Sequence, residues 1–235
     1  MAKFRKRRGR HIDRTSKIAN HPRLGEGVYT IPDVSRILGL PQQKARLWLR
    51  EYWNNRFARG HGYSWGRGRD RAINFYALIE FYVFYQLRNC GVSAQRAAKA
   101  HALISRVLKT QYPFATSRIL TDGNSIFFSP DVTTLINADP TLQYNLKRII
   151  EDFCVKIDFD NSILARRFFP GGTQGSLVVD PEHQFGQPTI LGTNIPAEVL
   201  YNFHKAGERV DFIARVYDLT EKQVEDAVAF YTKAA

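Results

Sequence analysis

Read for the spacing of its apolar side chains, the chain divides into blocks of different period. Val34, Ile37 and Leu38 stand at i, i+3 and i+4, and Ala45, Trp48, Leu49 and Tyr52 share one face a little further on. That spacing predicts two short amphipathic helices. Thr30-Ile31-Pro32-Asp33 has the form of a capping box, with Asp in place of Glu and a proline in the first turn, so the first helix starts there. Gly39 ends it in a left-handed conformation and Pro41 opens the second, which leaves only Gly39-Leu40 as the turn. Phe75, Leu78, Ile79, Tyr82, Val83 and Leu87 then hold helical spacing to Arg88. After Gly91-Val92-Ser93 another helix runs to about Lys109, with Ser93 as its cap and Ala94, Ala97, Ala98 and Ala102 admitting a close neighbour.

The pattern changes beyond residue 110. Arg118-Ile119-Leu120 and Ile126-Phe127-Phe128 flank Asp122-Gly123-Asn124 as a short hairpin, and Leu142, Leu146, Ile149, Ile150 and Phe153 space a helix. Ile163 to Phe169 and Ser176 to Val179 predict a second hairpin around Gly171-Gly172-Thr173-Gln174-Gly175. Helical spacing returns at the carboxyl end. Pro196 starts a helix with Val199, Leu200 and Phe203 facing inward and Gly207 closing it. Phe212, Ile213 and Val216 make a second, and Thr220 with Gln223 caps a third whose buried stripe is Val224, Ala227, Val228 and Tyr231. The expected fold is mainly α with small β hairpins (α+β). Four parts are expected: a basic arm at 1–23, a helical unit at 24–110, a connecting α+β segment at 111–175 and a three-helix module at 176–235.

Charge divides the chain more sharply than hydropathy does. Residues 1–110 carry 23 Lys+Arg against 6 Asp+Glu, a balance of +17, whereas residues 111–235 carry 11 against 16, a balance of −5. Clustered cations of this density suit a polyanion, because releasing condensed counterions from phosphates drives such binding. Within the arm, Arg5, Lys6, Arg7 and Arg8 stand among almost no large apolar side chains. A segment of that kind stays disordered and either lies along phosphates, enters a minor groove or remains a solvated tail. In the second helix Gln43, Arg46 and Arg50 share the face opposite the apolar one. Two short helices around a tight glycine turn, the second presenting Gln and Arg outward, form a helix-turn-helix with a recognition helix. From Arg56 to Arg71 aromatics, glycines and arginines alternate, which reads as a hairpin wing whose Arg67, Arg69 and Arg71 reach phosphates or a narrow minor groove. The spacing there lacks the Lys-Ser or Lys-Thr of a phosphate-cradling nucleotide loop. Trp48, Tyr52 and Trp53 are expected in the core, while Tyr63 and Trp65 suit either packing or contact with bases.

The catalytic alternatives are weak. Six histidines are dispersed without metal-ligand spacing, and Cys90 and Cys154 form no Cys-x-x-Cys pair, so neither a metal nor another cofactor is expected. Asp158 and Asp160, like Asp180 and Glu182, lie near strand ends or turns where carboxylates cap backbone groups. No nucleophile, base and orienting group stand together, and the chain is expected not to be an enzyme. An amino-terminal export signal and a membrane span are not expected either, which points to the cytoplasm.

Two resemblances sharpen this reading. Residues 29 to about 108, through Tyr29-Thr30-Ile31, Ala45-Arg46-Leu47-Trp48, the Arg/Gly wing, Phe75-Tyr76-Ala77-Leu78-Ile79 and Leu87-Arg88-Asn89-Cys90-Gly91-Val92-Ser93, resemble the MerR-type winged helix. That resemblance implies that Arg46 contacts the DNA backbone, with Gln42, Gln43 and Lys44 beside the groove. The long dimerising coiled coil and effector domain of that family are missing. Asp180-Pro181, Gly186-Gln187-Pro188-Thr189-Ile190, Gly192-Thr193, Ile195-Pro196, Gly207, Tyr217-Asp218-Leu219-Thr220 and Val224-Ala227-Tyr231 resemble the domain-of-unknown-function family 433 found in antitoxins. From Ser176 on the chain has 5 Lys+Arg against 9 Asp+Glu, a surface that repels phosphates and suits protein, either a second copy or a partner. Together the resemblances imply a type II, VapB-like antitoxin that binds operator DNA as a homodimer, represses its own operon and neutralises a PIN-like ribonuclease toxin. Arg166, Arg167 or the carboxyl-terminal tail are candidates for blocking that toxin. A stand-alone dimeric MerR-like regulator without a toxin is the alternative.

Overall fold

A computed structural model describes residues 23–58, 62–89, 91–116, 156–159 and 164–233, together with the backbone of three strands between 119 and 137. The expected basic arm with Arg5, Lys6, Arg7 and Arg8, the tip of the Arg/Gly segment at 59–61, the helix expected from Leu142 to Phe153, and both cysteines lie outside the described residues. The fold is mainly helical, with small antiparallel strand pairs.

Strand β1 (Tyr29–Thr30) runs directly into helix α1 (Ile31–Leu38), and the capping box is present in full. Asp33 N–H donates to Thr30 Oγ1 at 3.4 Å, and Thr30 N–H donates to Asp33 Oδ2 at 2.9 Å. Two of the helix's orphan N–H groups thereby gain acceptors, an arrangement typically worth about 1 kcal/mol. Gly39 closes α1 at φ 62, the left-handed region that glycine adopts without a Cβ penalty. Helix α2 (Gln42–Trp48) begins one residue after Pro41 and continues without a break into a π-helical segment, Leu49–Arg56. The periodicity did not foretell that wider turn, in which Phe57 N–H reaches back to the Tyr52 carbonyl at 2.8 Å.

Strand β2 (Ala72–Ile73) pairs antiparallel with β1, Tyr29 opposite Ile73 and Thr30 opposite Ala72. Helices α3 (Phe75–Asn89) and α4 (Ala94–Val107) follow, the latter capped by Ser93 as expected. The core of this unit is aromatic. Trp53 stacks on Phe81 at 4.0 Å, and Trp48 meets Phe84 edge to face at 4.9 Å. The core continues through Phe114 and Ala115 to Ile157, Ala165, Phe168 and Val179, so the described part of 111–175 packs onto α3, with Tyr82 and Phe168 at 4.8 Å.

Strands β3 (Ile119–Thr121), β4 (Ile126–Asp131) and β5 (Thr134–Asn137) form a meander. The first expected hairpin is its first pair, Ile119 opposite Phe128. The second is reduced to one bridge, Phe168 to Val179. The flanking residues pair elsewhere: β7 (Arg167–Phe168) with β6 (Ile157–Asp158), and β8 (Leu177–Val178) with β9 (Thr189–Ile190).

Helices α5 (Ala197–Lys205), α6 (Val210–Tyr217) and α7 (Glu221–Lys233) complete the chain. Leu177, Ile190, Ala197, Leu200, Ile213, Ala214, Val224, Ala227 and Tyr231 make a second, smaller core. Three residues expected inside it are outside: Phe203 is 42% exposed, Phe212 44% and Val216 57%. The small core leaves the outer faces of α5 and α6 uncovered, so an apolar stripe wider than the contact spills onto the surface.

The two cores meet along a seam. Phe230 packs against both, and the Arg36 guanidinium lies 4.9 Å from the centre of the Tyr231 ring. Val28 N–H donates to the Phe185 carbonyl at 2.9 Å. Tyr29 is fully buried beside Gly27 and Gly186, and a Cβ at either glycine would collide with its ring or hydroxyl.

Candidate nucleic-acid interface

Helix α2 sorts its side chains as the spacing requires. Ala45, Trp48 and Leu49 are buried, while Gln42, Gln43, Lys44, Arg46 and Arg50 are exposed. Arg46 Nη2 donates to Gln42 Oε1 at 3.0 Å one turn earlier, which leaves the remaining guanidinium donors to the solvent. Lys44 lays its ammonium 5.2 Å from the Trp48 ring and 5.3 Å from that of Tyr85, so its stem is held while its charge stays outside. Arg50 pairs with the adjacent Glu51 at 2.9 Å, a contact so exposed that it neutralises little. The result is a two-turn surface of amides and cations over an aromatic base.

What fixes that helix escaped the sequence reading. Glu80, on α3, is fully buried and its carboxyl group meets three hydrogen-bond partners. Trp53 Nε1 donates to Oε2 at 3.1 Å, Phe114 N–H donates to Oε1 at 2.7 Å, and His101 Nε2 lies 2.6 Å from Oε2. His101 is itself stacked on Phe57 at 3.7 Å. A single acidic residue inside the apolar run Phe75 to Leu87 was the available signal, since a charge there needs buried partners. Trp53 belongs to the π-helical continuation of α2, so this network anchors the far end of the helix that carries Gln42 to Arg50.

The Arg/Gly segment closes into a loop. Trp65 and Ala72 exchange backbone hydrogen bonds at 3.0 Å each way, and between them a short 3-10 turn spans Gly68–Asp70. Gly66, at φ 74, faces the Asp70 carbonyl so closely that a Cβ would strike it; glycine is required for this turn. Arg67 and Arg69 are exposed on the loop and Arg71 is half-buried. Asn54 and Ser64 exchange hydrogen bonds at 3.0 and 3.1 Å, tying the root of the loop to the end of the α2 continuation. Tyr63 is a core residue: it is 2% exposed, and its hydroxyl donates to the Gln111 carbonyl at 2.6 Å. Trp65 stays half-buried.

The carboxyl-terminal module offers a different surface. On α6 and its flanks ion pairs join Arg209 to Asp211 at 2.9 Å and Arg215 to Asp211 at 3.8 Å. The hydrogen bond from Arg209 and the nearby guanidinium charges hold the Asp211 carboxyl below its ordinary range. Tyr231, at the seam, is pushed up to about 12, by burial first and by Glu198 next. The candidate arginines Arg166 and Arg167 lie in and beside β7, with Arg167 Nη2 2.5 Å from Asp158 Oδ2. Among the described residues no three His, Cys, Asp or Glu side chains are grouped to hold a metal ion, and no helix is long and apolar enough to cross a membrane.

Comparison with known proteins covers both regions. Residues 177–231 match the family model described as protein of unknown function (DUF433). Over 223 residues, 86% of this chain and 92% of the relative, the sequence is 24% identical to a Mycobacterium tuberculosis protein described as "Putative antitoxin VapB45". A second protein of the same organism, the uncharacterized protein Rv2308, is 24% identical over 239 residues, 89% of this chain and 92% of its own. The crystal structure of Rv2018 from Mycobacterium tuberculosis superposes with a TM-score of 0.64 at 19% identity, covering 88% of this chain and 99% of that one. The fold is therefore shared with that structure over 88% of this chain.

Proposed function

We propose that the chain is a DNA-binding antitoxin of the type II kind, which represses its own operon through α2 and the Arg67 to Arg71 loop and engages a ribonuclease toxin through its carboxyl-terminal half. The observation that carries the reading is the face of α2: Gln42, Gln43, Lys44, Arg46 and Arg50 are all exposed on a helix entered through a tight left-handed turn and anchored by buried aromatics. Arg and Gln are the side chains that reach base edges in a major groove, and Lys and Arg are those that meet phosphates. The loop bearing Arg67 and Arg69 supplies a second, flanking set of cations, in the manner of a wing. A likeness along most of the chain to a protein described as an antitoxin supports the toxin-binding part. We count the protein among binding proteins rather than enzymes, and two copies reading adjacent half-sites are expected, since one short helix makes too small a contact for specific binding.

The test is a salt series of binding to the chain's own upstream DNA beside an unrelated fragment of equal length. Arg46→Ala with Arg50→Ala lowers affinity for the upstream fragment by about tenfold or more, and each lost phosphate contact reduces the salt slope by about 0.9. Undiminished affinity in the double variant would remove α2 from the interface. Co-expression with the product of the adjacent gene tests the other half. A stable complex supports the antitoxin, and its absence beside intact operator binding leaves a stand-alone regulator.

A further inference from the structure

A groove of about 730 Å³ lies at the seam, where Phe230 packs against both cores. Its walls are the end of α1 with the turn Gly39-Leu40-Pro41, the helix α7, and the glycine-rich loop that runs from Pro170 to Ser176. Its floor is apolar, since Leu40, Tyr82, Phe168 and Leu177 are buried there. Concavities of this size between two units are where small ligands bind.

The charges on these walls come from distant parts of the chain: Arg36, Lys156, Lys222 and Lys233, against the carboxylate of Asp226. Two of the cations are already matched, Arg36 by Asp33 at 3.7 Å and Lys222 by Asp226 at 3.2 Å. Lys156 Nζ donates to the Pro170 carbonyl at 2.9 Å, and neither Lys156 nor Lys233 has a carboxylate partner among the described residues. With both pairs counted as neutral, the positive charges of Lys156 and Lys233 remain, and a low-dielectric floor concentrates their field in the groove. The rest of the module is strongly acidic: outside the groove it carries three Lys+Arg against eight Asp+Glu. A long polyanion running out along the module would meet those carboxylates, whereas a compact anion stays among the cations. We infer that the seam groove binds a small molecule carrying two or more acidic groups, phosphates or carboxylates, held by Lys156 and Lys233 with Arg36 and Lys222 beside them. Such a ligand touches the turn that leads into α2, so its occupancy is expected to change operator affinity. That consequence rests on the DNA-binding reading; the binding itself does not.

The probe is tripolyphosphate, titrated calorimetrically into the full chain and then used in lysine footprinting, where ammonium groups are acetylated with and without it. The tightest site is expected to take one equivalent, and acetylation of Lys156, Lys222 and Lys233 to fall severalfold while Lys44 and Lys205 react as before. Lys156→Gln with Lys233→Gln weakens that site by about a hundredfold, about tenfold for each charge-assisted hydrogen bond lost, with the circular dichroism spectrum unchanged. Lys205→Gln with Arg215→Gln makes the same change of charge elsewhere on the module and leaves binding intact. Absence of binding, affinity untouched by the groove variants, or protection spread equally over Lys44 and Lys205 would each overturn the site. Protection of the groove lysines by the upstream duplex but not by tripolyphosphate would assign the groove to the DNA backbone and overturn it as well. A chain that binds tripolyphosphate in the groove yet ignores its upstream DNA sinks the DNA-binding reading and leaves the site standing.

Discussion

The amino-terminal helical unit and the carboxyl-terminal module are both made of short helices joined by tight turns, yet they dispose of large side chains in opposite ways. The first buries Trp53, Phe75, Phe81, Phe84 and Phe114 completely and shows cations and amides outside. The second closes its core largely with Leu200, Ile213, Val224 and alanines, and leaves Phe203, Phe212 and Val216 in solvent. Size explains part of the contrast. Strands β1 and β2 and the described segments around Phe114, Ile157, Phe168 and Val179 enlarge the core around α3, whereas the smaller core of the module leaves the outer faces of α5 and α6 uncovered. Charge explains the rest. The balance is +17 over residues 1–110, a surface suited to phosphates, and −4 from Ser176 onward, a surface that repels them.

The largest expected effect falls on the buried polar centre of the first unit. Glu80→Gln keeps the shape but turns one acceptor into a donor. Whichever way the amide points, Trp53 Nε1–H or Phe114 N–H faces another N–H inside the core. Breaking a buried network in this way costs about 3 kcal/mol. All three tryptophans are in the first 110 residues, so their fluorescence reports this unit, while far-ultraviolet circular dichroism reports all the helices. The two denaturation curves of the native chain should coincide because of the shared seam, and both midpoints should fall in the variant. A variant whose tryptophan curve does not move would show that the Glu80 network does not support the fold of α2.

The same contrast governs how much was legible beforehand. Both ends of α1 could be read because Thr30, Asp33 and Gly39 are local signals, and local signals survive any tertiary setting. The outward face of α2 was legible for a similar reason: Gln43, Arg46 and Arg50 have nowhere else to go once Trp48 and Leu49 are inside. Periodicity alone could not show that Phe203, Phe212 and Val216 lack a neighbour, since it records which side of a helix is apolar and not whether anything covers it. Nor did it show the Asn54–Ser64 clasp or the Glu80–His101 contact, which join residues ten and twenty-one positions apart. The second hairpin failed on the same ground. Phe168 and Val179 do bridge, but their neighbours find better partners in β6 and β9.

A smaller effect is expected where the two regions join. Gly186 is at φ 82, and a Cβ there would fall on the Tyr29 hydroxyl, so Gly186→Ala both strains the backbone and drives a methyl into a buried side chain. A loss of about 2 kcal/mol follows, read as a lowered urea midpoint. If the seam is a true part of the fold, the tryptophan signal must register it although residue 186 belongs to the other region. An unshifted tryptophan curve would mean that the two regions are stable independently.

The smallest effect has the opposite sign. The Tyr29 hydroxyl is buried at this same joint without a hydrogen-bond partner among the described residues. Burial pushes its ionisation well above the ordinary tyrosine value, and the carboxyl groups of Asp180 and Asp33 add to the shift. A buried hydroxyl with no acceptor costs the fold its lost hydration, about 1–3 kcal/mol, and Phe has the same ring without that group. Tyr29→Phe is therefore expected to raise stability by up to about 1 kcal/mol, the smaller figure because the unfolded chain also solvates the hydroxyl imperfectly. Urea denaturation followed by tryptophan fluorescence reads the change. A clear loss of stability would mean that the hydroxyl has a partner, such as an ordered water bridging the two regions.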